Sequence, residues 1–433
     1  MDIKNIQIVS DSLLCTGCGI CSIICPQDAI QMKKDETFGV YKSIVNLEKC
    51  KSCGLCLSSC PPLTWSNEDR KNGRYNIYVG NFLKIFSGYS LDEKIRFNAA
   101  SGGFITTLLI YLLENSYVDG VILTKRSTKD PIYSFPFIAK SKKEILEGMG
   151  SKYSPVKFDE VLKELRESDL SNIAVVGLPC HIEAISNIKD KRIIKKIKFK
   201  ICILCGQNTN FLAYDYLMKI FNLKKSNLVN IKNRGHGWPG FMELKTTDKI
   251  IKVPYTSNYS MGMILSSPVF TPFACHMCVE PVGFRADITC SDAWLKKYTN
   301  NDRIGRNLVL VKNSKILEIL NEMTNKHLLS LNEETLEDFL KANENVFINK
   351  LKYAPLKLKF FLVNKKIKKI FFSKMKFDNN INLLESIKIY IFMLHINFIK
   401  KIGIKNIYKF LNFPILFYFK ILNLLKKGKY NGK

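Results

Sequence analysis

The sequence predicts a small α+β domain at the N-terminus, a larger α/β domain behind it, and a basic, mostly helical C-terminal region. Three observations carry this. Two matched four-cysteine runs fall within the first 65 residues, joined by a short segment that reads as a hairpin. Strand-like and helix-like stretches then alternate from about residue 84 to residue 205, the pattern of an α/β domain. From about residue 340 the composition shifts to Lys, Ile, Phe, Leu and Asn.

Length and composition set the frame. At 433 residues the chain exceeds the roughly 250–300 residues that one core supports, so two or three domains are expected. Apolar residues make up 46% and charged residues 24%, which excludes wholesale disorder and collagen-like or mucin-like character. No stretch approaches the roughly 18–20 uninterrupted apolar residues of a membrane-spanning helix. The opening MDIKNIQIVSDSLLC lacks the layout of a signal peptide, and a cytoplasmic protein is expected. The net charge of +28 is uneven: residues 350–433 hold 20 Lys against Asp378 and Glu385, about +18, which leaves about +10 for the rest. Most of the excess belongs to the tail, and no nucleic-acid role is inferred from it.

Eight of the 14 cysteines lie in the first 60 residues. In a reducing compartment such density points to metal rather than disulfides. CTGCGICSIICP (residues 15–26) and the run from Cys50 to Pro61 both have the form C-x-x-C-x-x-C-x-x-x-C-P. Three thiolates at intervals of three residues wrap one cubane, the fourth reaches the other cluster, and the proline turns the chain. Cys15, Cys18, Cys21 and Cys60 are therefore expected on one 4Fe-4S cluster, and Cys25, Cys50, Cys53 and Cys56 on a second. Gly17, Gly19 and Gly54 allow close backbone approach to the cluster sulfides. Zinc motifs use paired C-x-x-C or mixed Cys/His ligands instead. The stretch 5–64, with its FGVYKSIVN hairpin, resembles a bacterial-type ferredoxin domain carrying two clusters.

After a polar linker (residues 66–76), LKIFSGYS reads as a strand and residues 99–116 as a loop entering a helix. VDGVILTK, SNIAVVG and FKICILCG read as further strands, with LPCHIEAISNI as a loop and helix, and a largely parallel sheet is expected. In such sheets ligand groups gather in loops at the carboxyl ends of strands. Ser101-Gly102-Gly103 opens a helix, where an anion is favoured, although such a start is more often a plain N-cap. Gly150-Ser151-Lys152-Tyr153 combines flexible backbone, a hydroxyl, a cation and a ring, which suits a phosphate or a flavin. RGHGWPG (residues 234–240) is glycine-rich and aromatic, as a tight surface turn also is. Cys180, Cys205 and the Cys275/Cys278 pair put four thiols at loop positions, enough for one more 4Fe-4S site. Cys202 and Cys290 are left over and read as buried structural thiols; in the strand Cys202 faces opposite to Cys205.

GLPCHIEAI, the Cys205-Gly206 loop, RGHGWPG and CHMCVEPVGFRADITCSDAWL occur in that order, with SGGFITTLL and GSKYSPV upstream. Over about residues 78–312 these motifs resemble the family of coenzyme F-420 hydrogenase and dehydrogenase beta subunits. The resemblance makes the fold an α+β ferredoxin-like domain followed by an α/β flavin-binding domain. It implies an FAD-containing iron–sulfur oxidoreductase that exchanges electrons between clusters and a hydride-carrying deazaflavin. It also implies Cys180, Cys205, Cys275 and Cys278 as ligands of the family's own cluster, and Ser101, Gly102, Gly103, Ser151, Lys152, Tyr153 and Arg234 around FAD. Lys152 or Arg234 is expected near the flavin pyrimidine. Asp287 and Asp292 match acidic positions, with turn capping as their simpler reading; His236 and Cys290 depart from the family pattern.

The expected domains are 1–65, the two-cluster ferredoxin domain; 78–160 and 161–345, the halves of the beta-subunit-type body; and 346–433, the basic amphipathic tail. Pro414 would kink a continuous tail helix. Two readings of the tail stand: helices packed on the body, or a surface-lying anchor drawn to anionic lipid at the inner face of the membrane. The expected partners are a ferredoxin or other redox protein and a small hydride acceptor. No catalytic side chain, natural substrate or direction of electron flow is legible. An electron-transfer component that serves a separate catalytic partner is the competing reading.

Overall fold

The computed structural model describes residues 5–65, 76, 78–257, 259–265, 267–361, 365, 367–369 and 381–405. The linker 66–76, apart from Asn76, and the tail beyond 405, with Pro414, lie outside the described residues.

The N-terminal domain is built on an antiparallel hairpin, β1 (Ile30–Asp35) and β2 (Val40–Val45), flanked by short helices that follow each cysteine run. The body contains an eight-stranded sheet. Its strands are β3 (Lys84–Ser90), β4 (Gly120–Arg126), β5 (Ser134–Ala139), β6 (Ile173–Gly177), β7 (Ile197–Ile203), β11 (Ile288–Asp292), β12 (Asn307–Val311) and β13 (Leu329–Glu333). Between them in sequence, β8 (Leu228–Lys232), β9 (Phe241–Thr246) and β10 (Ile250–Pro254) form a separate three-stranded antiparallel sheet.

The strand order is β13-β3-β12-β11-β7-β6-β4-β5. Only the central strands β11, β7, β6 and β4 run parallel; both flanks are antiparallel. The expectation of a largely parallel sheet is thus corrected to a mixed one. At one edge the physical reason is the connection: β4 returns as β5 with no helix between them, which only antiparallel pairing permits.

The apolar strands serve two cores because side chains alternate between sheet faces. Val121, Leu123, Ala174 and Val176 pack with Leu108 and Leu109 of the helix Phe104–Glu114 and with Ile316 and Ile319 of Ser314–Asn325. Ile122, Ile173 and Val175 face the other way, onto Val161 and Leu162 of Asp159–Glu167 and Ala184 and Ile185 of Pro179–Ser186. Cys18 and Ile20 join this second core, so the N-terminal domain docks on that face. Its hairpin is held too: Phe38 meets Phe273 edge-on at 5.5 Å, and Phe211 N–H donates to the Gly39 carbonyl at 2.7 Å.

Past the sheet, a π-helical turn (Ile348–Tyr353) leads into the helix Ala354–Phe360, and the helix Leu383–Ile402 packs against it. Ile389, Phe392, Met393, Ile396 and Ile399 bury one face of that last helix. Asn382 and Glu385 form a capping box at its start, and Glu385 accepts from Lys352 at 3.0 Å and Tyr353 at 2.8 Å. No described helix is long and apolar enough to cross a membrane.

Candidate iron–sulfur centres and flavin site

In each N-terminal cysteine run, a glycine follows the second cysteine and caps the short helix that carries the third. Gly19 (φ 82°) precedes Ile20–Ile23 with Cys21; Gly54 (φ 75°) precedes Leu55–Ser58 with Cys56. These left-handed conformations turn the chain so that three thiols face one side, which an L-side chain resists.

The structure brings thiols of the two runs together. Cys60 has Cys18, Cys15 and Cys21 as neighbours, although it lies in the other run. Cys56 is likewise surrounded by Cys25, Cys53 and Cys50, with Cys25 crossing from the first run. In the body, Cys180 has Cys205, Cys278 and Cys275 as neighbours. Their positions follow from the fold: Cys180 opens a helix after β6, Cys205 follows β7, and Cys275 and Cys278 flank the turn ending the short helix Phe273–His276. The groups also adjoin one another, since Cys21 feels Cys56 and Cys180 feels Cys18.

Burial dominates the acidity of these thiols. It pushes Cys18 and Cys56 up to about 11 and Cys275 up to about 12, and raises Cys21, Cys60, Cys180 and Cys205. Neutral thiols are the stable form in a dry interior; bound iron reverses that by supplying positive charge to the thiolates. Among the described residues, no three or more His, Cys, Asp or Glu side chains are placed to hold a single metal ion. All-sulfur donor sets in groups of four, reached by backbone N–H groups such as Ala29 to Cys25 Sγ at 3.4 Å, fit 4Fe-4S clusters.

One cation stands in the third group. Lys350, on the π-helical turn, donates to Cys278 Sγ and to the Glu280 carbonyl, both at 3.0 Å. Burial works against its charge, but Cys278 and Cys205 outweigh burial and raise it. Sequence reasoning passed over this residue, one of 20 lysines in its stretch.

The loops assigned to FAD meet at residues 233–238. On one side Asn233 Nδ2 donates to the Ser151 carbonyl at 3.2 Å, and Tyr255 bonds to Tyr153 and lies 4.7 Å from the Arg234 guanidinium. On the other, Gly237 N–H donates to the Phe97 carbonyl at 2.9 Å, and a Cβ on Gly305 would strike both Ser101 and Trp238. Ser101 on one flank and Ser151 and Tyr153 on the other are therefore brought to the segment 233–238. Several of these side chains already have structural work. Ser101 Oγ donates to the Arg306 carbonyl at 2.6 Å, and Gly102 packs without room for a Cβ against Arg306, Asn307 and Gly88. Lys152 Nζ donates to the carbonyls of Gly148, Met149 and Gly150, so its amino group closes its own loop.

Arg234 differs. It is buried, its Nη1 donates to Asp292 at 2.6 Å, and its Nε and Nη2 have no hydrogen-bond partner among the described residues. The Trp238 indole N–H at the same junction is also unpartnered. Orphaned donors in a buried junction fit an acceptor-rich group such as FAD. Asp292 is thus the counter-charge of Arg234. Asp287 ties backbone together, accepting from Lys200 N at 2.7 Å and from Asn313 Nδ2 at 2.8 Å. His236 Nε2 lies 3.3 Å from Glu243. Cys202 packs with Ile182 and Ala286, and Cys290 lies among the apolar residues of the first core. Asn233 and Tyr255 were not singled out from sequence, whereas Trp238 lies within the RGHGWPG run that was.

Family models match nearly the whole described body. Residues 14–62 match a 4Fe-4S dicluster domain; residues 85–163 and 170–337 match the N-terminal and C-terminal parts of the coenzyme F-420 hydrogenase/dehydrogenase beta subunit. The coenzyme F-420 hydrogenase beta subunit of Methanosarcina barkeri is 27% identical over 49% of this chain and 71% of its own length. The coenzyme F-420-dependent sulfite reductase of Methanocaldococcus jannaschii is 28% identical over 42% of this chain, and the match spans 26% of that protein. In structure, a chain of the F-420-reducing NiFe hydrogenase complex from Methanosarcina barkeri aligns at TM-score 0.50 and 20% identity, covering 64% of this chain and 93% of its own; that likeness speaks to the fold. An iron–sulfur dicluster domain precedes both parts of the beta-subunit model, and this oxidoreductase chain belongs to the family of coenzyme F-420 hydrogenase/dehydrogenase beta subunits.

Proposed function

We propose that the protein exchanges electrons between a redox-protein partner, of ferredoxin type, and a two-electron carrier such as coenzyme F-420, through three 4Fe-4S clusters and FAD. When bound, the clusters carry electrons singly and FAD couples single electrons to hydride transfer. Everything else is the work of the chain. Cys15, Cys18, Cys21 and Cys60, then Cys25, Cys50, Cys53 and Cys56, hold the N-terminal pair; Cys180, Cys205, Cys275 and Cys278 hold the third. Arg234, oriented by Asp292, offers two N–H donors to FAD, and the glycine-rich loops at residues 101–103 and 150–153 let backbone approach it. Lys152 acts here by fixing its loop.

One observation carries the proposal: Cys180 of the body neighbours Cys18 of the N-terminal domain, whose carbonyl accepts from the Phe158 N–H of the body at 2.9 Å. The first N-terminal group thereby adjoins the third, and Cys53 of the remaining group is solvent-exposed, where a partner has access. The test is anaerobic reconstitution of the full chain, with iron, sulfide and released flavin measured, followed by assay of coenzyme F-420 reduction by a reduced ferredoxin. Full cofactor content with turnover supports the proposal; a chain without flavin sinks it. Full content without turnover favours the second reading, a component that relays electrons to a separate catalytic partner.

A further inference from the structure

We infer that Lys350 is a positioning residue for the third iron–sulfur centre: a buried ammonium, delivered by the segment following the sheet, that donates to the Cys278 thiolate and raises the reduction potential of a cluster held by Cys180, Cys205, Cys275 and Cys278. The inference rests on the three-cluster proposal.

The geometry is specific. Lys350 is 4% exposed, and both acceptors of its Nζ, Cys278 Sγ and the Glu280 carbonyl, lie at 3.0 Å. Neither acceptor is a carboxylate, and the Glu280 carboxylate is turned to backbone, accepting from Val282 N–H at 3.2 Å and Gly283 N–H at 2.7 Å. A buried ammonium is strongly unfavourable without a compensating anion. Of the two acceptors of its Nζ, Cys278 Sγ is the one that can carry negative charge. Thiolates bound to iron supply that charge permanently; neutral thiols do not. The Lys350 site and the third cluster therefore account for each other.

The backbone supports the same placement. Lys350 sits on a six-residue π-helical turn, Ile348–Tyr353, between two α-helical segments, and such turns concentrate at functional sites. It also lies beyond residue 337, where the match to the beta-subunit model ends. The charge is thus a contribution of this chain's C-terminal segment to a site whose thiols come from the body. Reduction adds negative charge to a cluster, so a fixed cation beside a ligand sulfur favours the reduced form, as does a hydrogen bond to that sulfur.

The experiment uses the full chain reconstituted without oxygen, with iron content and a potentiometric titration followed by electron paramagnetic resonance. Wild type, Lys350→Met and Lys350→Arg are compared. Lys350→Met is expected to shift the third cluster at least tenfold toward its oxidised form, which is about 59 mV for a one-electron couple. The two N-terminal clusters should titrate as in wild type, and Lys350→Arg should retain most of the wild-type potential. Loss of the third cluster from Lys350→Met but not Lys350→Arg also supports the role of the charge. Equal loss from both variants would assign Lys350 to packing and overturn the inference. An unchanged third potential in Lys350→Met, with all clusters present, overturns it while leaving the three-cluster proposal standing. Wild-type protein holding only about eight irons would overturn both.

Discussion

The backbone N–H of Phe158 donates to the carbonyl of Cys18 at 2.9 Å, joining the body to the middle of the first cysteine run. The next residues on both sides are in contact as well: a Cβ on Gly19 would stand 3.0 Å from the Asp159 nitrogen. The turn that aims Cys18 and Cys21 is therefore also the surface on which the two domains meet.

That double duty separates two glycines with the same backbone conformation. Gly19 and Gly54 both have positive φ, but a Cβ on Gly54 would meet nothing within 4 Å. Gly54→Ala should cost about 1–2 kcal/mol, the penalty for the left-handed region alone. Gly19→Ala should cost more, because the domain contact must also give. Thermal unfolding of anaerobically prepared variants measures this; equal losses would show that the junction yields freely.

The ion pair of Arg234 and Asp292 links residues 58 apart in sequence, one in the glycine-rich loop and one at the end of β11. Asp292→Asn leaves the guanidinium buried without its counter-charge, at a cost of about 3 kcal/mol, the low end for such a break because Asp292 is 20% exposed. Released FAD, measured by fluorescence, should fall with it if Arg234 faces the flavin. Unaltered flavin content in a folded Asp292→Asn protein would remove Arg234 from that role.

How far these sites were legible depends on how local they are. The four-cysteine runs fix their ligands by spacing, so Cys15 to Cys60 could be grouped without a fold. The apolar run of β6 stands out because it is buried at every position, and so on both faces. Strand direction is not local: β12, buried at every position, reads the same whether parallel or antiparallel, and the antiparallel strands β5, β12 and β13 were not read from the sequence at all. The small sheet at 228–254 did leave a signal, the alternating burial of FMELKT, but its polar residues disguise it. Lys350 left none. Only the chain's return past Cys278 distinguishes it from its neighbours.

Lys152 gives the protein a pH dependence. Its side chain is half-buried but its ammonium is enclosed, and burial, aided by Arg126, lowers it to about 7. Between pH 7 and about 10 the unfolded chain therefore holds a proton that the folded chain has released. Stability should rise with pH across that window, by up to about 1.4 kcal/mol per unit from this group. Lys152→Met should flatten the rise; a parallel pH profile for wild type and variant would show that the three carbonyls keep the ammonium protonated.

The last described helix bears on the two readings of the tail. One face is packed on the body, while Leu383, Leu384, Ile387, Tyr390, Ile391, Leu394 and Phe398 remain exposed, with Leu383 at 77% and Phe398 at 57%. Ile387, Ile391, Leu394 and Phe398 recur at the spacing of a single helical stripe. The one acid of this helix, Glu385, is engaged by Lys352 and Tyr353, and residues 350–433 carry about +18. An apolar stripe in so basic a region suits the interface of an anionic membrane, with the helix lying flat. Full-length protein should float with vesicles containing phosphatidylserine, and less so in high salt. Replacing Ile391, Leu394 and Phe398 by Ser should reduce flotation at least tenfold without unfolding the protein, because none of the three belongs to the buried face. Flotation that survives those replacements would place any lipid contact elsewhere, and absence of flotation in the wild type would leave packing as the helix's sole role.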